Sequence, residues 1–249
     1  MKFSLGLCSV SFRKSSAEEI IKAASGAGLD FIEWGSDVHA PCGDGEKIKE
    51  IITLQEGYGI RSSSYGTYFR LGVNNIAELP RYIESALLLG TDTLRLWCGD
   101  KSGEEMTSSE KEALFLECHR AREVAEEYKV KLCLERHKKT LTEDLDSTLE
   151  LMNKLCSRRF LTYWQPFQWQ CFEKNLQSAK RLSPYTENIH VFNWNGEDKL
   201  PLRDAEGEWR DYLQCFSPCK LLLEFMPKGG ISELVDEAAA LRVICGGVK

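Results

Sequence analysis

The 249-residue sequence lacks several features that mark common functional classes. It has no apolar run near the ~18 residues that a membrane helix requires. No G-x-G-x-x-G motif follows the first strand-like segment, so a dinucleotide site at the first turn is not expected. The formal net charge is −6 and only four histidines are present, whereas a nucleic-acid-binding surface would need a basic stripe. We therefore expect no membrane and no nucleic-acid partner.

Disulfides are also not expected, although the chain has ten cysteines. None forms a C-x-x-C pair, and Cys98, Cys133, Cys156 and Cys245 lie inside predicted strands or helices. The segment Phe3–Phe12 has no small-x-small cleavage pattern and is diluted by serines, so it predicts a first strand rather than a signal peptide. Reduced thiols and a cytoplasmic location follow as expectations.

Strand and helix signals alternate eight times without a linker, which predicts one domain over residues 1–249. The strands are short and often continuously apolar, as parallel strands covered by helices usually are. They are predicted at Phe3–Cys8, Leu29–Trp34, Ile60–Tyr65, Thr93–Cys98, Val130–Glu135, Phe160–Gln165, Asn188–Asn193 and Lys220–Phe225.

Helix boundaries are marked by capping residues and glycines. Helices are predicted to start at Ser16, Thr107, Thr142 and Ser232 and to end at Gly28, Gly59 and Gly90. The seventh unit is the weakest, with a long loop over Trp194–Glu208 and a short helix over Trp209–Phe216. Eight βα units in about 250 residues predict an α/β fold, the (β/α)8 TIM barrel. A doubly wound open sheet is the alternative, which the missing glycine-rich turn disfavours.

Polar groups that bind metals or transfer protons follow four of the later strands. Burying such a group unpaired is costly, so its presence at a strand end indicates a site. In a TIM barrel these ends meet at one face. Oxygen donors with an imidazole nitrogen suit a hard or borderline divalent cation. The residues are Glu135, His137, Gln165, His190 and Glu224.

Three of these residues also have a purely structural interpretation. Glu135 could form a rim salt bridge, His190 could be a satisfied core histidine, and Gln165 could simply satisfy backbone groups.

Aromatic and polar side chains near other strand ends suit the binding of a small sugar. Trp164 and Gln165 are adjacent, so they cannot both face inward in a regular strand. The further candidates for substrate contact are Trp34, His39, Tyr65, Arg95, Trp97 and Trp194, together with His137.

At these positions the chain resembles the sugar phosphate isomerase/epimerase family, the xylose isomerase-like TIM barrels. The resemblance covers nearly the whole chain, and the order and spacing of its motifs are more specific than any single one. The motifs are Ile32-Glu33-Trp34-Gly35, Asp37-Val38-His39, Ser64-Tyr65-Gly66, Leu94-Arg95-Leu96-Trp97, Leu134-Glu135-Arg136-His137, His190-Val191-Phe192 and Leu223-Glu224-Phe225.

The resemblance implies one divalent metal ion (Mn, Zn or Mg) held by Glu135, Gln165, His190 and Glu224. It also implies that Glu135 and Glu224 are catalytic and exchange a proton with the substrate. Gln165 departs from the family, which usually has an aspartate there, and an amide oxygen ligates without negative charge.

The function predicted on this basis is a metal-dependent isomerase or epimerase of a small sugar, sugar phosphate or related ketose. It would act by proton abstraction alpha to a carbonyl, with His137 and Arg95 hydrogen-bonding the substrate. The alternatives are a dehydratase on the same scaffold and a catalytically silent sugar-binding barrel. A DNA-repair endonuclease of this barrel type would need more histidines and a basic face.

Two further points remain open in the sequence. The turn Lys228-Gly229-Gly230 is a weak signal for phosphate binding by backbone amides. The partner is expected to be a small-molecule carbohydrate substrate, and a homo-oligomer is possible.

Overall fold

The eight predicted strands form one closed parallel barrel in the computed structural model, which describes residues 3–248. The strands are β1 Ser4–Cys8, β2 Phe31–Gly35, β3 Arg61–Leu71, β4 Thr93–Cys98, β5 Lys131–Glu135, β6 Phe160–Trp164, β7 Thr186–Val191 and β8 Lys220–Leu223. They follow one another around the barrel in chain order, and β1 closes it by pairing with β8. The predicted (β/α)8 barrel is confirmed, and the open-sheet alternative was wrong.

An α-helix follows each strand and covers the outside of the barrel. The helices are α1 Ala17–Gly26, α2 Gly45–Tyr58, α3 Leu79–Leu88, α4 Ser108–Tyr128, α5 Leu145–Leu155, α6 Phe172–Leu182, α7 Glu206–Gln214 and α8 Leu234–Gly246. None of the helices in the described part of the chain is long and apolar enough to cross a membrane.

Two of the predicted helix starts are confirmed and two were wrong. Ser16 and Thr107 each form a capping box with the glutamate three residues later. Thr142 does not cap α5, because its hydroxyl donates to the carbonyl of Glu135 and a 3-10 turn precedes the true cap, Asp144. Ser232 lies within a 3-10 turn before α8.

Two segments differ from the sequence prediction in a way that shapes the barrel mouth. Strand β3 continues to Leu71 instead of ending at Tyr65, so Tyr68 reaches the mouth. In the seventh unit, the long loop contains a small hairpin, Trp194–Asn195 paired with Asp198–Lys199. Helix α7 begins at Glu206, three residues before the predicted start.

The apolar core lies mainly between the strands and the helices, outside the barrel. Trp164 belongs to this layer, where it packs against Trp209, Tyr212 and Phe216 and donates to Ser178 Oγ at 3.0 Å. The barrel interior holds a separate, much smaller apolar cluster of Cys8, Val10, Cys133, Tyr163 and Leu222. Strand β6 therefore directs Trp164 outward and the next residue, Gln165, inward.

The four cysteines named in the sequence analysis carry thiols rather than disulfides. Cys98 is fully buried, and its sulfur lies 3.7 Å from that of Cys118. Its burial in the outer layer fits the role of a small apolar side chain.

Close packing at the bottom of the barrel predicts opposite effects for two glycine-to-alanine changes. A Cβ at Gly6 in β1 would lie 2.5 Å from the carbonyl oxygen of Phe31, whereas a Cβ at Gly57 in α2 meets nothing within 4 Å. Gly6→Ala should lower the free energy of unfolding by roughly 1–3 kcal/mol through overpacking. Gly57→Ala should raise it by about 0.5–1 kcal/mol, because alanine loses less backbone entropy in a helix. Urea unfolding of both variants measures this, and equal effects of the two changes would contradict the packing described for β1.

Candidate active site

Five charged or titratable side chains converge inside the carboxyl end of the barrel. They come from five different strands, and each is at least nine-tenths buried. Alternate residues of a strand share a face, and these side chains belong to the face of each strand that points into the barrel. The residues are Glu33 of β2, Arg95 of β4, Glu135 of β5, His190 of β7 and Glu224, which directly follows β8.

Arg95 joins the carboxylates of Glu33 and Glu135. Its Nε donates to Glu33 Oε1 at 2.9 Å, and its Nη1 donates to Glu135 Oε2. Glu33 Oε2 also accepts a hydrogen bond from Ser64 Oγ at 2.9 Å, and Glu135 Oε2 accepts one from Trp97 Nε1 at 2.6 Å. Both carboxylates are therefore paired by charge and by hydrogen bonds, as buried ions require.

The absence of a side chain at Gly66 makes room for this arrangement. A Cβ there would lie 2.8 Å from Arg95 Nη2 and 2.9 Å from Glu33 Oε1. Glycine in the Ser64-Tyr65-Gly66 motif thus serves close packing beside the ion pair.

The environment of Arg95 shifts the pKa of both paired carboxyl groups downward. Burial alone would raise the pKa of Glu33, but the charges of Arg95 and His190 outweigh it and lower the pKa to about 2. Burial is likewise outweighed by Arg95 and His190 at Glu135, whose pKa is also lowered. Both side chains are therefore ionised at neutral pH.

Glu224 has the opposite shift. Burial raises its pKa to about 7, because the attraction of His190 does not compensate fully and the charge of Glu135 adds repulsion. A carboxyl group that titrates near neutral pH is suited to proton transfer.

The main chain directly after Glu224 forms an unusual turn. Phe225 has φ 58°, and the N–H of Phe225 donates to Ser11 Oγ at 2.8 Å.

His190 lies at the centre of the oxygen atoms of the site. Its Nδ1 is 3.0 Å from Gln165 Oε1 and 3.4 Å from both Glu135 Oε1 and Glu224 Oε2. Burial alone would lower the pKa of the imidazole, but the acid groups of Cys8, Glu224 and Glu33 raise it well above its ordinary value. Nε2 lies 3.4 Å from Glu33 Oε1 and makes no hydrogen bond.

Gln165 presents its amide oxygen to this centre. Its Nε2 donates to the carbonyl of Arg136 at 2.8 Å, which fixes the orientation of the amide and leaves Oε1 directed at His190. The structural alternative, in which Gln165 satisfies a backbone group, therefore accounts for the amide nitrogen but not for the amide oxygen.

The donor set fits a divalent cation in chemistry and partly in spacing. Around an ion with bonds of about 2.1 Å, neighbouring ligand atoms lie roughly 3.0–3.4 Å apart, and the three oxygens lie at such distances from His190 Nδ1. However, one group of acid, imidazole and thiol side chains in residues 3–248 has ligand atoms that all lie within 4.8 Å of one another, and it consists of Cys8, His190 and Glu224. Glu135 is not a member of this group, and its Oε2 accepts hydrogen bonds from Arg95 and Trp97.

A cavity of about 360 Å³ opens above these residues. Its wall carries an arc of aromatic and basic groups: Tyr68 packs edge-on to Trp97 at 5.3 Å between ring centres, and Trp97 lies 4.6 Å from His137. His137 Nδ1 is 2.8 Å from the carbonyl of Lys138, so this nitrogen carries a proton and donates it to that oxygen. Among the predicted contact residues, the cavity is lined by Arg95, Trp97, His137 and Trp194.

Three of the predicted substrate-contact residues do not line the cavity. Trp34 and Tyr65 point into the outer apolar layer, where the Tyr65 hydroxyl donates to the carbonyl of Ala40 at 2.7 Å. His39 is buried between Ser9 Oγ and the carbonyl of Ser15. Their roles in this structure are in packing and loop support.

Sequence reasoning missed several residues at the mouth. Arg13 lines the cavity and is bound to Asp37 and to the hydroxyl of Tyr68. Lys138 lies 4.2 Å above the ring of Trp169 and has no ion-pair partner within residues 3–248. These residues come from loops after the strands, where no periodic pattern marks them.

The predicted phosphate position is filled by the protein itself. The carboxylate of Glu233 accepts hydrogen bonds from the backbone amides of Lys228 at 2.9 Å and Gly230 at 3.2 Å. A side-chain carboxylate on these amides favours a substrate without phosphate.

Comparisons with known proteins agree with the barrel described above. No protein-family model matches the sequence. The 3-dehydroshikimate dehydratase of Bacillus anthracis is 23% identical over 214 residues, which cover 80% of this chain and 74% of that protein.

Solved structures match over almost the full length. D-psicose 3-epimerase with D-tagatose from Clostridium cellulolyticum H10 has a TM-score of 0.74 at 14% identity, covering 99% of this chain and 100% of that one. A xylose isomerase-like TIM barrel protein from Mycobacterium smegmatis, in complex with magnesium, has a TM-score of 0.70 at 12% identity, covering 99% and 98%. The chain therefore shares the (β/α)8 barrel fold of these proteins, including the xylose isomerase-like one.

Proposed function

We propose that this barrel is a divalent-cation-dependent isomerase or epimerase that removes the proton alpha to a carbonyl group of a small sugar or related ketose. The observation that carries the proposal is the pair of buried glutamates on either side of His190, whose pKa values are shifted in opposite directions. Such a divergence separates a fixed charge from a group that exchanges protons.

The cation would be held by Gln165 Oε1, His190 Nδ1 and one carboxylate oxygen each of Glu135 and Glu224. When bound, it would act as a Lewis acid on the oxygen atoms of the substrate. Mn, Zn and Mg all remain candidates, and the Mycobacterium smegmatis protein of this fold is described in complex with magnesium.

Glu224 is the residue that we assign to the proton transfer. Its carboxylate would accept the alpha proton, because no guanidinium of residues 3–248 is bonded to it and its pKa in the cation-free site, about 7, exceeds that of an ordinary glutamate. Glu135 stays ionised beside Arg95 and holds its charge fixed. This asymmetry favours reactions that one base completes, such as isomerisation, over epimerisation, which needs a second acid on the opposite face of the substrate.

The cavity wall supports a small and unphosphorylated substrate. A volume of about 360 Å³ lies at the small end of the range for ligand pockets. Trp97, His137 and Trp194 offer rigid aromatic faces with polar edges, which suit the C–H faces and hydroxyl groups of a sugar.

Dehydration is the second candidate, because it begins with the same proton abstraction. Two observations favour it: the likeness to 3-dehydroshikimate dehydratase and the ammonium group of Lys138 at the mouth, which lies over Trp169 and has no ion-pair partner within residues 3–248. The substrate of that dehydratase bears a carboxylate, which such a cation would attract.

Neutralising the base should abolish most of the turnover. Glu224→Gln keeps the shape of the side chain but removes its basicity, so turnover should fall on the order of 10²–10⁴-fold, the usual worth of a positioned base. The wild type should show a loss of kcat/KM as pH falls through a value at or below about 7, since protonated Glu224 cannot accept a proton and a bound cation lowers its pKa from the value of the cation-free site. The pH profile of the Glu224→Gln variant should lack this fall in kcat/KM.

A panel of ketoses and 3-dehydroshikimate, assayed in deuterium oxide with Mn²⁺, provides the measurement. Glu187→Gln is the matched control, because Glu187 pairs with Lys131 at the far end of the barrel. With a ketose, deuterium should enter the alpha position with the wild type and the control only, whereas dehydration of 3-dehydroshikimate removes the alpha hydrogen and is followed by product formation. Ketose turnover without solvent exchange would contradict proton transfer by Glu224, and a wild type that binds a sugar but never converts it would identify a silent barrel.

The charge at position 165 should control the affinity for the cation. Gln165→Asp adds a negative charge beside His190, so it should tighten Mn²⁺ binding by about tenfold or more. Gln168→Asp is the control, since it adds the same charge to the cavity wall without facing His190. Titration calorimetry measures both, and an unchanged affinity of Gln165→Asp would place Gln165 outside the ligand set.

A further inference from the structure

The guanidinium of Arg95 lies inside the barrel, where a cation-dependent enzyme needs negative charge. Its side chain is 3% exposed and binds Glu33 through Nε and Glu135 through Nη1. Of the three buried glutamates in the site, two are thus already compensated by one resident positive charge.

Arg95 also determines where the carboxylate of Glu135 lies. One oxygen, Oε2, accepts from both Arg95 and Trp97, so only Oε1 faces His190, at 3.4 Å. Glu135 consequently stands apart from the group of Cys8, His190 and Glu224, whose ligand atoms lie within 4.8 Å of one another. The fixed amide of Gln165 supplies no charge to make up for this.

We propose that Arg95 sets the affinity of this centre for divalent cations by competing with the cation for Glu135. This rests on the proposed function only in that the centre binds a cation. Like charges in a buried site repel strongly, because the effective dielectric constant there is far below that of water. A cation that uses Glu135 Oε1 must share this carboxylate with the guanidinium, so it binds weakly and exchanges readily.

The test compares changes that remove charge with changes that keep it. Arg95→Met removes the guanidinium charge, Arg95→Lys keeps a positive charge, and Trp97→Phe removes a hydrogen bond to the same Glu135 oxygen without changing charge. Mn²⁺ binding to each full-length protein is measured by calorimetry, and the fold is checked by near-ultraviolet circular dichroism.

Arg95→Met should bind Mn²⁺ about tenfold tighter or more, whereas Arg95→Lys and Trp97→Phe should stay within about threefold of the wild type. An unchanged or weaker affinity in a folded Arg95→Met protein would overturn the proposal. An equal gain in Trp97→Phe would also overturn it, because release of the carboxylate rather than removal of charge would then be the cause.

Removing Arg95 alone leaves Glu33 buried without its partner, which endangers folding. The double variant Glu33→Gln with Arg95→Met removes both charges of that pair, and it is compared with Glu33→Gln alone. The double variant should bind Mn²⁺ about tenfold tighter than the single one, and equal affinities would overturn the proposal.

The outcome is independent of catalysis. Ketose turnover by the wild type at saturating Mn²⁺ is measured separately. Turnover combined with unchanged affinities in the variants would leave the proposed function standing and remove the role of Arg95. If the variants show the expected affinities but the wild type has no turnover, the role of Arg95 would stand and the proposed function would be removed.

Discussion

The ion pair that Arg95 makes with Glu33 and Glu135 is the interaction on which the rest of the site depends. An unpaired carboxylate inside the barrel would cost several kcal/mol in lost hydration. Arg95 compensates two of them, and Ser64 and Trp97 supply the remaining hydrogen bonds. The third, Glu224, is attracted by His190 at 3.4 Å, but burial outweighs this attraction and its pKa rises. The opposite pKa shifts of Glu135 and Glu224 thus reflect which carboxylate the guanidinium binds directly.

Much of this arrangement could be predicted from the sequence, because barrel geometry converts strand ends into neighbours. The strand over Thr93–Cys98 has the predicted bounds, and the positions of Glu135, Gln165, His190 and Glu224 follow from the strand-end rule. Parity placed Gln165 and Trp164 on opposite faces, as the structure shows. Whether these residues ligate a metal stays a prediction.

The outward positions of Trp34 and Tyr65 were not foreseen because alternation along a strand does not state which face is inward. Glu33 faces the interior, so Trp34 must face the helices, and the same reasoning assigns Tyr65 outward beside Ser64. The predicted end of β3 was six residues short, which hid Tyr68. The partners of Arg95 were hidden too, because the ion pair joins residues 62 and 40 positions apart in the chain.

The division of the molecule into two layers has a consequence for how such proteins diverge. Most of the apolar core lies between the strands and the helices, whereas the barrel interior contains only a small apolar cluster. Substitutions at the mouth that leave no buried charge unpaired should therefore cost little folding stability. The same backbone can then carry different side chains around the site. The TM-score of 0.74 with D-psicose 3-epimerase at 14% identity shows that this fold persists when most residues differ.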